Sequence, residues 1–223
     1  DSVKAKTNYV IEAKPIAELP NDGPIGVYEF AQAYRNAARG FKICLISHTI
    51  GWPAEESEFN HHLGCLANAG GGGLGAGPGN AVGAALALRD ADEDCVPVAI
   101  LGDGDYLMGV QALWTAAHQN IPLLIIVSNK RSYFNDEMHQ EAIAKKRGRP
   151  TENRWVGQRI DNPEIDICAI AKAQGLNSIG PVSDIEHLAG AIEEGLKKVQ
   201  EGATLVMDVR VEPEYAVSPL HER

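Results

Sequence analysis

Asp103 stands between two glycines in the run Gly102-Asp103-Gly104-Asp105, directly after an apolar stretch that ends at Leu101. Glycine on both sides lets the backbone turn sharply and approach a ligand closely, and the amino end of a following helix favours anionic groups. A carboxylate beside a phosphate-like anion normally has a cation between the two, and oxygen ligation of that kind suits Mg²⁺. Taken alone, such a triplet is more often just a tight turn, so the surrounding elements decide.

The strand that delivers Asp103 is Val96 to Leu101 (VPVAIL), and a helix follows from about Leu107 to Gln119, with Val110, Leu113, Trp114 and Ala117 facing inward. Leu123 to Ser128 (LLIIVS) is continuously apolar, as a strand buried on both faces of a parallel sheet requires. Upstream, Val27, Phe30, Ala31, Tyr34 and Ala38 recur at helical spacing and Gly40 stops that helix. A buried strand from Lys42 to Ser47 (KICLIS) comes next, and a helix from about Asn80 to Arg89 follows a glycine-rich stretch.

Residues 129 to 163 are rich in Lys and Arg, poor in aliphatics and without a clean period, so they read as a long functional loop with some helix. Beyond it come a short helix from Asp166 to Gln174 and a short strand from Leu176 to Ile179. Ser183 then caps a helix whose Glu186 completes a capping box, and Thr204 to Val211 forms the last strand, with Met207 in the core. Strands alternating with helices imply an α/β fold, a doubly wound parallel sheet with helices on both faces. Ligands of such sheets bind beyond the carboxyl ends of the strands, where Asp103 falls. A single domain is expected over 24–223, preceded by a polar, Pro- and Gly-punctuated arm or linker over 1–23.

With its helix, strand and terminal asparagine, the stretch Gly102 to Ser132 (GDGDYLMGVQALWTAAHQNIPLLIIVSNKRS) resembles the signature of thiamine diphosphate-dependent enzymes. Ala69 to Ala87 (AGGGGLGAGPGNAVGAALA) is similar to the glycine-rich segment of the benzoylformate decarboxylase and acetolactate synthase branch of that family. The resemblance implies the domain that binds the cofactor's diphosphate and Mg²⁺. Asp103 and Ser132 would be metal ligands, the latter through its carbonyl, and Gly102, Gly104 and Asp105 would lie near the diphosphate. Ser47, His48 and Thr49 fall where the family makes further diphosphate contacts. Gly72 and Gly73 would approach the aminopyrimidine, with Leu74 wedged beneath the cofactor.

One position departs from that pattern. Where the family carries the second asparagine of an Asn-Asn pair, a metal ligand, this chain has Lys130. A protonated lysine has no lone pair and cannot ligate a metal. Three accounts stay open: Asn129 takes over as ligand and cofactor contact, Lys130 pairs with the diphosphate directly, or cofactor binding is impaired. Neighbouring side chains on a strand point to opposite faces, which weighs against the first.

The family resemblance further implies a 2-oxo acid substrate and a reaction at the bond beside its carbonyl, decarboxylation with carboligation as an accompanying activity. Acetolactate synthase-type acyloin synthesis and a non-catalytic subunit of the same fold are the alternatives. The family's catalytic glutamate lies in a pyrimidine-binding domain that nothing in this sequence resembles, so another chain or an amino-terminal part is expected to supply it within a homo- or hetero-oligomer. In the sequence itself, His61 and His62 are candidate proton relays, with an exposed loop pair as the plain alternative. Tyr133, Phe134, Arg154, Trp155 and Gln158 are candidates for closing over the substrate, and Arg154 or Arg159 for holding its carboxylate.

Composition excludes several other roles. With 30 acidic against 20 basic residues and no basic face, nucleic acid is a poor partner. No apolar run approaches the ~20 residues that span a bilayer, so no membrane role is expected. Cys44, Cys65, Cys95 and Cys168 are scattered rather than paired, which fits a reducing cytoplasm and not a zinc or redox motif.

Overall fold

The computed structural model describes residues 15–66 and 73–214. Five parallel strands form one sheet: β1 Ile43–Ser47, β2 Val96–Gly102, β3 Leu123–Asn129, β4 Asn177–Val182 and β5 Thr204–Arg210, in the spatial order β1-β2-β3-β5-β4. The helices are α1 Val27–Ala38, α2 Ala76–Asp90, α3 Asp103–Gly109, α4 Ala112–His118, α5 Phe134–Lys146, α6 Ile167–Ala173 and α7 Ile185–Gln200. The chain steps from β1 through β2 and β3 to the far edge at β4, then returns to β5. That reversal of direction puts the helix of a right-handed crossover on the opposite face of the sheet. Accordingly α1 and α7 cover one face, packing on Leu45, Val98, Ile100, Leu124, Ile126 and Met207. On the other face α2, α3, α4 and α6 pack on Cys44, Ile46, Ala99, Leu101, Ile125 and Val127. Every residue of β3 is buried, as its unbroken apolar run requires.

Three local expectations are corrected. The helix read over 107–119 is two: α3 begins at Asp103 itself, and α4 restarts at Ala112 after a break at Val110 and Gln111. The break shifts the inward face of α4 to Leu113 and Ala116, so Trp114 is 57% exposed and stacks on His118 with ring centroids 4.8 Å apart. The Ser183 capping box does not form. Asp184 occupies the cap position, and the Ser183 hydroxyl donates to its carboxylate instead of reaching into α7.

The segment 129–163 contains the 13-residue α5. Its helical period was hidden because its buried positions are Phe134 and the charged Glu137 rather than an apolar stripe. Of the arm, residues 15–19 dock on α1: the Asn36 side chain pairs with both the amide and the carbonyl of Ala17, Arg35 donates to the Pro15 carbonyl, and Leu19 packs on the core. No disulfide links Cys44, Cys65, Cys95 or Cys168. Among the described residues no helix is long and apolar enough to cross a membrane.

Candidate functional site

A cavity of about 470 Å³ opens at the carboxyl ends of β1, β2 and β3. Asp103 lies in its wall, 5% exposed, where β2 turns into α3. One carboxylate oxygen accepts the Gly104 amide at 3.0 Å and the other the Ser132 amide at 2.9 Å. Burial raises its pKa to about 6, against the pull of those amides toward the charged form. Glycine at 104 is a matter of room: a Cβ there would sit 2.3 Å from the Tyr133 ring, which also lines the cavity.

The neighbouring carboxylate serves another element. Asp105 accepts the amides of Gly75 at 2.7 Å and Gly77 at 3.2 Å, so it caps α2 and clasps the glycine-rich segment to the turn after β2. A Cβ on Gly77 would lie 1.9 Å from that carboxylate. Gly73 and Leu74 then lie at the cavity, with Leu74 47% exposed. Gly72 lies outside the described residues.

At the end of β3 the alternation of side chains separates two neighbours. The Asn129 amide group donates to Asp208 at 2.8 Å, while its oxygen accepts the Arg131 amide at 3.1 Å. That second bond draws the chain into a turn in which Arg131 adopts φ +54°, and the turn brings the Ser132 amide back to Asp103. Lys130 points into the cavity wall and is 8% exposed. Its ammonium donates to the Glu214 carbonyl and sits 5.0 Å over the Phe134 ring. Burial lowers its pKa to about 8, and the charges of Asp103 and Glu214 oppose that shift.

Ser47, His48 and Thr49 at the end of β1 complete the wall. Two hydroxyls there are distinctive: Ser47 Oγ and Ser128 Oγ are buried and have no hydrogen-bond partner among the described residues. A buried hydroxyl left unsatisfied costs about 1–3 kcal/mol, so this pair at one cavity is suited to a polar ligand.

The chain matches the family "Thiamine pyrophosphate enzyme, C-terminal TPP binding domain" over residues 47–209. It belongs to that family. A benzoylformate decarboxylase of Pseudomonas aeruginosa is 30% identical over 133 residues, which are 56% of this chain and 21% of that protein. Among solved structures, the benzoylformate decarboxylase of Polynucleobacter necessarius superposes with a TM-score of 0.70 at 20% identity, over 92% of this chain and 36% of that one. The thiamine diphosphate-dependent 4-hydroxybenzoylformate decarboxylase of Rhodococcus jostii RHA1 gives 0.65 at 25% identity, over 89% and 36%. This chain therefore spans about a fifth of the length of the curated relative and about a third of each of these structures.

As a thiamine diphosphate-binding domain, the chain offers donors suited to a diphosphate at this cavity: two unsatisfied hydroxyls and an ammonium. The fit to Mg²⁺ is poorer. That ion demands a near-octahedral set of oxygens. Of the carboxylates lining the cavity, Asp105 is committed to α2 and Asp136 belongs to the first turn of α5. Asn129 is turned to Asp208, so the structure does not bring it to the cavity.

Several sequence candidates lie elsewhere. His61 bonds through Nε2 to the Ile43 carbonyl at 2.7 Å, at the amino end of β1 and so at the opposite end of that strand from the cavity. His62 is exposed beside it, with ring centroids 6.4 Å apart. Neither Arg154 nor Arg159 lines the cavity: Arg159 holds the fully buried Glu137 at 2.6 Å, and Arg154 pairs with Glu141. Each guanidinium pairs with a carboxylate of α5. Trp155 is half exposed and Gln158 contributes a carbonyl to the Tyr133 amide, whereas Tyr133 and Phe134 do line the cavity. Sequence reasoning missed Ser128 and Glu137. Ser128 was marked only by ending the apolar run of β3, and Glu137 by nothing local.

Proposed function

We propose that this chain holds the diphosphate of thiamine diphosphate in an enzyme that decarboxylates a 2-oxo acid, with an aromatic side chain on the acid favoured. The unsatisfied hydroxyls of Ser47 and Ser128 at a cavity that also holds Lys130 carry the reading. The names of the relatives, benzoylformate and 4-hydroxybenzoylformate decarboxylase, support the substrate class. Bound there, the cofactor supplies an electron sink for breaking or making the bond next to a carbonyl.

This chain's residues do the holding. The Ser47 and Ser128 hydroxyls donate to anionic oxygens, and Lys130 adds a fixed positive charge at the same wall. Asp105 keeps the glycine-rich segment against the turn after β2, which places Gly73 and Leu74 at the cavity mouth. Ile50, Leu74, Tyr133 and Phe134 give the same cavity apolar and aromatic surface, suited to excluding water and to an aromatic substrate. No described side chain at the cavity is placed as the base of the reaction, so a second domain or chain is proposed to supply the catalytic glutamate.

The full-length protein, given thiamine diphosphate, is expected to release CO₂ from benzoylformate faster than from pyruvate. Acetolactate as the sole product from pyruvate, with benzoylformate untouched, would overturn the decarboxylase reading in favour of acyloin synthesis.

A further inference from the structure

Lys130 is the one ammonium in the cavity wall among the described residues, and its position is set by contacts on two sides. The Glu214 carbonyl accepts from it and the Phe134 ring lies beneath it, so the charge is held in place rather than free to swing into solvent. It shares its face of β3 with Ser128, two residues earlier, whose buried hydroxyl lacks a partner. Ser47 supplies a second such hydroxyl from the edge strand.

A fixed cation flanked by unsatisfied donors is complementary to an anion directly, with no ion between. A divalent cation meets the opposite conditions. Asp103 offers a single carboxylate, whose oxygens keep lone pairs beside their backbone amides, but the Asn129 oxygen is turned into its own loop, and the neighbouring ammonium repels any further positive charge.

We infer that Lys130 takes the place of the divalent cation, so that this protein binds the diphosphate of its cofactor without requiring a metal. The inference rests on the reading of the cavity as a diphosphate site. It predicts that Lys130, Ser128 and Ser47 together carry the affinity that a bridging ion would otherwise provide.

Calorimetric titration of the chelator-stripped full-length protein with thiamine diphosphate, and separately with inorganic pyrophosphate, tests this in EDTA and in excess Mg²⁺. The expected result is binding in both, with Kd differing by less than about tenfold, the factor that about 1.4 kcal/mol represents. Lys130→Arg is expected to keep binding in EDTA. Lys130→Asn is expected to lose it in EDTA and regain it with Mg²⁺. Binding by the unmodified protein only with Mg²⁺, or an unchanged EDTA titration for Lys130→Asn, would overturn the inference and leave the proposed function standing. Absence of binding under every condition would remove the diphosphate reading itself.

Discussion

The amide of Ser132 donates to the carboxylate of Asp103 at 2.9 Å across 29 residues of chain, which ties the turn after β2 to the turn after β3. The Gly104 amide holds the other oxygen. The cavity floor is thus a closed set of backbone bonds around one buried acid.

That acid gives the ligand-free protein a pH signature. Its pKa is raised from 3.8 to about 6 by burial, so the folded chain holds the proton more tightly than the unfolded one. Stability should therefore fall as pH rises from about 4 to about 6, with the cost of the charged form fully present above that, on the order of 3 kcal/mol. Asp103→Asn should flatten this part of the profile. Urea unfolding at pH 4 to 7 measures it, and a wild-type profile parallel to that of the variant would show that Asp103 is not the group responsible.

Gly104→Ala should force the Tyr133 ring away, since the added Cβ would stand 2.3 Å from it. A cost of about 1–3 kcal/mol is expected for such overpacking. Because the obstacle is a side chain, Tyr133→Ala should relieve most of it in the double variant, giving a clear coupling energy. Additive effects of the two substitutions would place the strain in the backbone instead.

Asp105→Ala should remove the cap of α2 and release the Gly75 and Gly77 amides, at a cost of about 0.5–2 kcal/mol. Hydrogen exchange at those two amides is the direct readout. Their protection should collapse in the alanine variant, and unchanged protection would mean that the helix start is held by something else.

The sheet was legible because parallel strands buried on both faces write themselves as apolar runs, and Leu123 to Ser128 did so without interruption. Asp103 was legible from its company, an apolar strand before it and a helix after it, because the Gly-Asp-Gly triplet alone reads as a tight turn. The rest depended on distant contacts. Trp114 follows an inward period only if the helix is continuous, and Gly109, which closes α3, is the single local sign of the break at Val110 and Gln111. Nothing local ties Arg154 and Arg159 to Glu137, because that buried acid lies on a helix without an apolar stripe. The fate of Asn129 needed Asp208, 79 residues away. Alternation along a strand correctly warned that Asn129 and Lys130 face opposite ways; the bond to Asp208 fixes which of them meets the cavity.

Exposure at Trp114 makes a negative prediction. With 57% of its surface in water and its ring stacked on His118, Trp114→Ala should change stability by less than about 1 kcal/mol, far below the 3–5 kcal/mol of a core tryptophan. Thermal unfolding of the full-length protein decides it. A large loss would mean that the ring is covered by another part of the assembly.

Glu137 is fully buried and shared by the Ser132 hydroxyl, Arg159 at 2.6 Å and, more distantly, Arg154 at 3.9 Å. Breaking a buried pair from one side strands the other charge, at up to about 3–5 kcal/mol, and partial exposure of Arg159 lowers that figure to about 2 kcal/mol. Arg159→Met should therefore destabilise more than Arg154→Met, whose main partner Glu141 lies nearer the surface, where solvent screens the pair. Removing both charges in Glu137→Leu with Arg159→Met should recover much of the loss, because no isolated charge remains. Yet Ser132 would lose its acceptor, and its amide is one of the two that hold Asp103. The double variant should accordingly regain stability while its thiamine diphosphate affinity stays reduced, and calorimetric titration beside urea unfolding separates the two. Recovery of both together would show that Glu137 supports the fold alone, and recovery of neither that the ion pair is not what limits stability.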